Sequence, residues 1–503
     1  MKLGYDDAIR YLFIVSFILL ALILPIHYIN GFLSPDESTF MLIGDSINHG
    51  SIPYKDFFDI KPPGIFYLNA LIFFVFGKSF YMSRIVLYIT NALSALIIYF
   101  LGKNLWNKHI GQLSSILFLI GVYNPLIEGY FVLTEPYMVF FGLLGIFVFF
   151  KFRDWRYLVP VGFFLSIATL FKQPGILFYV LILIYYVSGL LNKRNRTKIF
   201  IYEIIKSSLL VSIGFLIPII ITIVFFYREG VLYDLIYWSF LYLISGKYGT
   251  VIDITSLFQP INSLVIIWIP ALISVVIIIY NLAKKKIQYN NILVIWWLLL
   301  FGYTLTTRQF GHYFIQILPP ACILASITLT RLPCIKNIKE VFSKEGVVKL
   351  SIFIFVILLI SHTILWSIFY DQLTGSDRDL ILENQIDTSN YIISHTEPNQ
   401  RIISFQSDPS IYFLSGRYPP FNFLDLDFQL TAGDERVNIN GQNDIINKTQ
   451  DDIINRINSS NVPYIIINTK SNGWVAHKLY QFIIKNYANE KTIGVYDIYK
   501  KVG

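Results

Sequence analysis

The chain has 503 residues, of which 55% are hydrophobic, 17% aromatic and only 14% charged. Its mean hydropathy of +0.58 excludes an ordinary soluble domain and predicts a polytopic membrane protein. A net charge of +8 would point to nucleic acid in a soluble protein, but here most lysines and arginines fall in short connections between apolar runs, so no nucleic-acid partner is expected.

In chain order, residues 11–29, 207–227, 261–282 and 351–370 are among the apolar runs that reach the roughly 20 residues needed to cross a bilayer; the whole pattern predicts about 11 transmembrane helices. The first run follows Lys2 and Arg10 without a small-residue cleavage site, and reads as a retained span rather than a signal peptide. Basic clusters such as Lys151/Arg153/Arg156, Lys193/Arg194/Arg196/Lys198 and Lys284/Lys285/Lys286 mark the inward connections. Segments 31–80, 123–136, 171–175, 228–260 and 306–312 then face outward, as does everything after residue 370. The expected product is a multi-pass cell-membrane protein with a transmembrane domain over 1–370 and a soluble extracytoplasmic domain over 371–503.

That terminal stretch is richer in Asn, Asp, Ser and Gln. Short β-rich runs at 401–405, 463–468 and 493–499 surround a helical pattern at 474–486, which predicts a small α/β domain. Asn447-Lys448-Thr449 and Asn458-Ser459-Ser460 are glycosylation triplets on the side this topology places outside. Cys322 and Cys334 offer neither a disulfide framework nor metal-ligand spacing.

The first outward loop, 31–80, concentrates charge beside apolar neighbours. Ser34-Pro35-Asp36-Glu37 has the form of a helix start: Ser34 as N-cap, Pro35 at the first helical position and Glu37 closing a capping box. Capping accounts for Ser34, Pro35 and Glu37 but leaves Asp36 without a structural role. Phe40, Ile43 and Ile47 then form a stripe, which predicts an amphipathic helix lying along the membrane interface and stopping near His49-Gly50.

Asp59-Ile60-Lys61-Pro62-Pro63-Gly64 opens a second helix, with the prolines fixing the direction in which Lys61 emerges. Its ammonium can snorkel to headgroups, pair with Asp59, or bind the phosphate of a lipid-linked substrate. Thr134-Glu135-Pro136 reads either as another helix start or as a further outward carboxylate. Lys172 in Phe171-Lys172-Gln173-Pro174-Gly175, and Arg308 with His312 in Thr307-Arg308-Gln309-Phe310-Gly311-His312-Tyr313, add cations on the face where cations are otherwise scarce.

These motifs resemble a known family. Asp36-Glu37, Gly50-Ser51-Ile52-Pro53-Tyr54-Lys55-Asp56, Lys61-Pro62-Pro63 with Tyr67, Phe76-Gly77 followed by Ser83-Arg84, and Thr134-Glu135-Pro136 are similar to the dolichyl-phosphate-mannose-protein mannosyltransferases and the lipid A aminoarabinose transferase. Both are GT-C glycosyltransferases. The likeness is specific over roughly residues 30–180 and looser through Pro319-Pro320. It implies a GT-C fold, a catalytic base at Asp36 or Glu37, donor-phosphate contacts from Lys61, Arg308, His312 and Lys172, and metal-binding or substrate-positioning roles for Glu135 and Asp59. Ile60 stands where some relatives carry Glu before Lys-Pro-Pro, which weakens the carry-over to Asp59. The Trp-Trp-Asp-Tyr-Gly signature of oligosaccharyltransferases is absent, since Trp296-Trp297 runs on into Leu298.

The resemblance therefore implies a hexosyltransferase that moves one sugar from a polyprenyl-phosphate carrier to a protein, lipid or glycan acceptor on the outer face, with inversion. Its partners would be the lipid-linked sugar, the acceptor and membrane lipids, and a divalent cation (Mg or Mn) between Glu135 and the phosphate is compatible with it. The competing class is a transporter or lipid-linked sugar flippase, which would place ionisable residues and broken helices near mid-membrane. A third class, a membrane anchor for a terminal binding module, leaves the first loop without a purpose.

Overall fold

The computed structural model describes residues 5–152, 154–191, 198–244, 254–283, 291–306, 310–331, 378–405, 408–420, 442–469 and 477–502. Arg308, Cys334 and the apolar run 351–370 lie outside them. The chain divides into two compact units: Met1–Tyr28, Arg84–Phe225 and Thr250–Leu373 form the first, and Ile29–Ser83, Phe226–Gly249 and Thr374–Gly503 the second.

The first unit is helical. Phe80–Leu105, Thr134–Lys151 and Ile201–Arg228 are long and apolar enough to cross a membrane, the last with most of its length unburied. Isoleucines and valines around such a helix, including Ile220, Ile221 and Val224, stay exposed, as lipid-facing positions do. Shorter apolar helices, among them Lys108–Val122, Val265–Asn281 and Leu318–Leu329, accompany these. Small residues let the backbones approach: a Cβ on Gly102 would stand 2.7 Å from the Gly111 Cα, and one on Gly145 2.5 Å from the Leu165 side chain. Ser274 donates to the Leu324 carbonyl at 2.7 Å and shares a hydrogen bond with Thr328, tying two helices by polar contacts inside an apolar setting.

The second unit joins the first loop to the C-terminal segment. Helix Pro35–Asn48 carries the expected capping box: the Ser34 hydroxyl accepts from the Glu37 backbone N–H, and the Glu37 carboxylate accepts from that of Ser34. The expectation of a helix with one exposed polar face does not hold. Residues Glu37 to Ser46 are all buried, because helix Gly64–Phe76 packs on one side and the short helix Ser410–Ser415 on another. Gly44 makes the first contact possible, since a Cβ there would lie 2.5 Å from that of Asn69.

The sheet has the order β1-β2-β4-β3, with β1 Ile403–Phe405, β2 Tyr464–Asn468, β3 Tyr487–Ile493 and β4 Tyr496–Lys501. β1 runs parallel to β2, and β4 lies antiparallel to both β2 and β3. The parallel pair needs a crossover, and helix Gln442–Ser459 lies between them in sequence. Ile403, Phe405, Ile465 and Ile467 meet Ile453 and Ile457 of that helix and Ile483 of helix His477–Asn486 in one core. The run expected as a strand at 493–499 is divided by a turn at Gly494, whose φ of 55° suits glycine. The two glycosylation triplets fall on helix Gln442–Ser459 and its end, with Asn458 exposed.

Candidate active site

In the second unit Asp36 occupies the second position of helix Pro35–Asn48, at its partly positive amino end. Its side chain is 49% exposed and its carboxylate lies 4.0 Å from the Lys61 ammonium. Glu37, one residue on, is fully buried in the capping box. The two neighbouring carboxylates thus play different parts, since one holds the helix start and the other reaches solvent.

Lys61 is held from several sides. Its backbone N–H donates to the Asp59 carboxylate at 2.8 Å, and its carbonyl accepts from the Tyr54 hydroxyl at 2.6 Å and from Ser239 at 3.4 Å. The side chain is 12% exposed and passes 5.8 Å from the Phe40 ring. Tyr54 is itself buried, with φ at +70°, a conformation that a non-glycine residue keeps only when its surroundings demand it. Ser239 comes from Tyr237–Leu241, a π-helical turn of the kind often found beside functional residues. Asp59 therefore serves the backbone of the lysine through an Asx turn.

At the other end of the same helix, buried Asp45 pairs with Lys78 at 2.9 Å and bonds the Tyr418 hydroxyl, which burial foremost and then this carboxylate push up to about 12. A pocket of about 500 Å³ opens there, lined by Asp56, Phe57, Arg401 and Tyr418 among others. His49, which also lines it, stands thirteen residues from Asp36, about 20 Å along the helix at 1.5 Å rise per residue.

In the first unit a second charged cluster forms. Glu135 and Lys172 are both buried and directly paired; Thr134 donates to the other Glu135 oxygen at 3.0 Å, and the Lys172 ammonium sits 3.7 Å from the centre of the Tyr313 ring. His312 Nδ1 bonds the Glu128 carboxylate at 2.7 Å, while its Nε2 lies 3.8 Å from Glu135. A carboxylate only accepts, so Nδ1 carries the proton. Gly311 permits this approach: a Cβ there would stand 2.0 Å from the Leu126 carbonyl. Glu128 has a φ of 60°, rare outside glycine.

Of the residues singled out in the sequence, the fold brings Asp36, Glu37, Asp59 and Lys61 together in one unit, and Glu135, Lys172 and His312 in the other. Sequence reasoning missed Glu128, Tyr313, Tyr54, Ser239 and the Asp45–Lys78 pair. Glu128 stood in an outward segment already weighed for its charge, and nothing local marked its partner 184 residues away. Among the described residues no group of three or more His, Cys, Asp or Glu side chains is arranged to hold a metal ion. Glu135, neutralised by an adjacent ammonium, does not fit a divalent cation in this arrangement.

A helical bundle with a small terminal sheet of this form is the fold of GT-C membrane glycosyltransferases. ArnT from Cupriavidus metallidurans, solved bound to undecaprenyl phosphate, aligns with a TM-score of 0.65 at 12% identity over 97% of this chain and 98% of that one. The Archaeoglobus fulgidus oligosaccharyltransferase in its apo form aligns at 0.57 and 12%, over 93% and 70%; AglB from the same organism, in complex with an inhibitory peptide and a dolichol-phosphate, gives 0.55 and 13% over 98% and 74%. In sequence, a family model for dolichyl-phosphate-mannose-protein mannosyltransferase matches residues 60–227. The resemblance read from the motifs is therefore found by both routes. Lys61, Glu135 and Lys172 fall inside the matched stretch and Asp36 precedes it. A search of curated protein sequences finds no match.

Proposed function

We propose that this chain is an integral-membrane hexosyltransferase that moves one sugar from a polyprenyl-phosphate donor to an acceptor hydroxyl on the outer face. The observation that carries the reading is the Asp36–Lys61 pair: a half-exposed carboxylate 4.0 Å from a lysine whose backbone is fixed, within a fold shared with a protein solved on undecaprenyl phosphate.

In this reading Asp36 takes the proton of the acceptor hydroxyl as general base. The hydroxyl oxygen attacks the anomeric carbon opposite the phosphate, the carbon–oxygen bond to phosphate breaks, and the electron pair leaves with the lipid phosphate. Lys61 stabilises that developing charge. A single displacement inverts the anomeric carbon. Lys172 and His312 are engaged with Glu135 and Glu128 in the helical unit and Arg308 lies outside the described residues, so the phosphate role in this proposal rests on Lys61. Asp59 positions through the Lys61 backbone, while Glu135 is spent on Lys172. The basic connections support an inward placement of those turns, which puts the first loop and the C-terminal segment outside. Membrane lipids surround the apolar helices, and the acceptor is a protein, lipid or glycan.

Comparison of lipid extracts and surface glycans between a deletion strain and its parent tests the reading. A missing surface sugar together with an accumulated polyprenyl-phosphate sugar supports it. A missing surface sugar with the lipid-linked sugar confined to the inner leaflet would favour a flippase instead, and unchanged glycans would overturn both readings.

A further inference from the structure

We infer that the C-terminal segment is part of the transfer machinery, and that Gln385 is the positioning residue through which it acts. Gln385, on helix Arg378–His395, accepts from the Leu33 backbone N–H at 3.0 Å and donates to the Leu33 carbonyl at 3.1 Å. Both ends of one amide are thus spent on one residue of the first loop. Turning the amide would set donor against donor and acceptor against acceptor, so its orientation is fixed by chemistry.

Leu33 is 1% exposed and Gln385 2%, so this backbone N–H and carbonyl would lose their partners in a buried setting if the amide were removed. Leu33 immediately precedes the Ser34 cap and stands three residues before Asp36. Gln385 is braced in turn. The Tyr496 hydroxyl of β4 stands close enough to feel its amide and donates to Asp408, which also accepts from Ser410 and from Asn468 of β2. Burial raises the Asp408 carboxyl above its ordinary range, with these hydrogen bonds opposing the rise. The chain of contacts runs from the sheet through Tyr496 and Gln385 to Leu33, the Ser34 cap and the carboxylate two residues beyond it.

The contacts of Leu33 explain why a segment 352 residues away belongs to the same compact unit as the first loop. A positioned reacting group loses up to about 10²-fold in rate for a displacement near 1 Å, without loss of substrate binding. Gln385 touches neither donor nor acceptor in this scheme; it sets where the Asp36 helix begins. The inference rests on the reading of Asp36 as the base.

The test uses the full chain in proteoliposomes with a polyprenyl-phosphate sugar. Gln385→Ala should lower kcat by about 10-fold to 10²-fold while the KM for the donor moves by no more than about twofold. Hydrogen exchange in the peptide holding Leu33 to Ser38 should rise in parallel. Gln385→Met keeps the volume of the side chain and loses both hydrogen bonds, and should match alanine; it decides the matter if the alanine variant does not fold. Lys500→Ala, which breaks an exposed pair with Glu490, should change neither readout. Wild-type kcat in Gln385→Ala, or a rise in KM alone, overturns the inference, as does unchanged exchange at Leu33. Should Asp36→Asn transfer at the wild-type rate, the base assignment fails instead, and the exchange measurement still reports whether Gln385 holds the loop.

Discussion

In the first-loop unit the Asp36 and Lys61 charges stand 4.0 Å apart with the carboxylate 49% exposed, whereas in the helical unit the Glu135 and Lys172 side chains are 2% and 6% exposed and in direct contact. A pair 4.0 Å apart whose carboxylate is half in solvent gains little from being closed, so Asp36 can leave Lys61 for substrate at small cost. A buried pair loses several kcal/mol when one partner goes, because the other charge is left unmatched. The same residue types are therefore suited to opposite roles: chemistry at the open pair, and integrity of the bundle at the closed one.

Asp36→Asn is the largest expected break in this comparison. An isosteric change at the open pair should leave folding and donor binding intact and cut transfer by about 10²-fold to 10⁴-fold, the range general bases contribute. Single-turnover sugar transfer by purified protein checks it; near wild-type transfer would move the chemistry elsewhere.

At the closed pair the expected loss is of stability rather than rate. Lys172→Met should destabilise the protein by about 3–5 kcal/mol, since Glu135 would be buried without its ammonium, and Glu135→Gln/Lys172→Met together should recover most of that. Thermal unfolding in detergent measures both. If Lys172→Met kept its stability and lost donor affinity, the lysine would be a phosphate contact and the contrast between the pairs would disappear.

Lys61→Met gives a smaller effect of a different kind. Removing a charge-assisted contact to phosphate is worth about 1.5–3 kcal/mol, roughly 10-fold to 10²-fold in donor affinity, and Lys61→Arg should restore part of it. Titration with polyprenyl phosphate alone separates this from catalysis. Equal affinity in wild type and Lys61→Met would reduce the lysine to a headgroup anchor.

What the sequence made legible follows the range of the interactions. Ser34 and Glu37 are three residues apart and announce their capping box; Lys61-Pro62-Pro63 announces a helix start, and helix Gly64–Phe76 follows it. The pairing of His312 with Glu128 spans 184 residues and that of Gln385 with Leu33 spans 352, and no local pattern encodes either. The burial of helix Pro35–Asn48 on its polar side was hidden for the same reason, because the helix Ser410–Ser415 that covers it lies far along the chain. β3 was missed on other grounds: its middle, Asn489-Glu490-Lys491-Thr492, is an exposed sheet edge, where charge guards against further pairing and removes the hydrophobic alternation.

The smallest expected effect tests whether the two adjacent carboxylates have been told apart correctly. Glu37 is fully buried, closes the capping box and belongs to the first turn of its helix, so Glu37→Gln keeps an oxygen for the Ser34 N–H and gives up the favourable charge at the helix start. That loss is worth about 0.3–1 kcal/mol, and the variant should unfold slightly earlier and transfer sugar at close to the wild-type rate. Glu37→Ala removes the side-chain half of the box as well and should cost more stability than Glu37→Gln, again with transfer retained in the folded fraction. A folded Glu37→Gln protein without transfer, beside an active Asp36→Asn, would place the base one residue along and make the exposed carboxylate a partner of Lys61 alone.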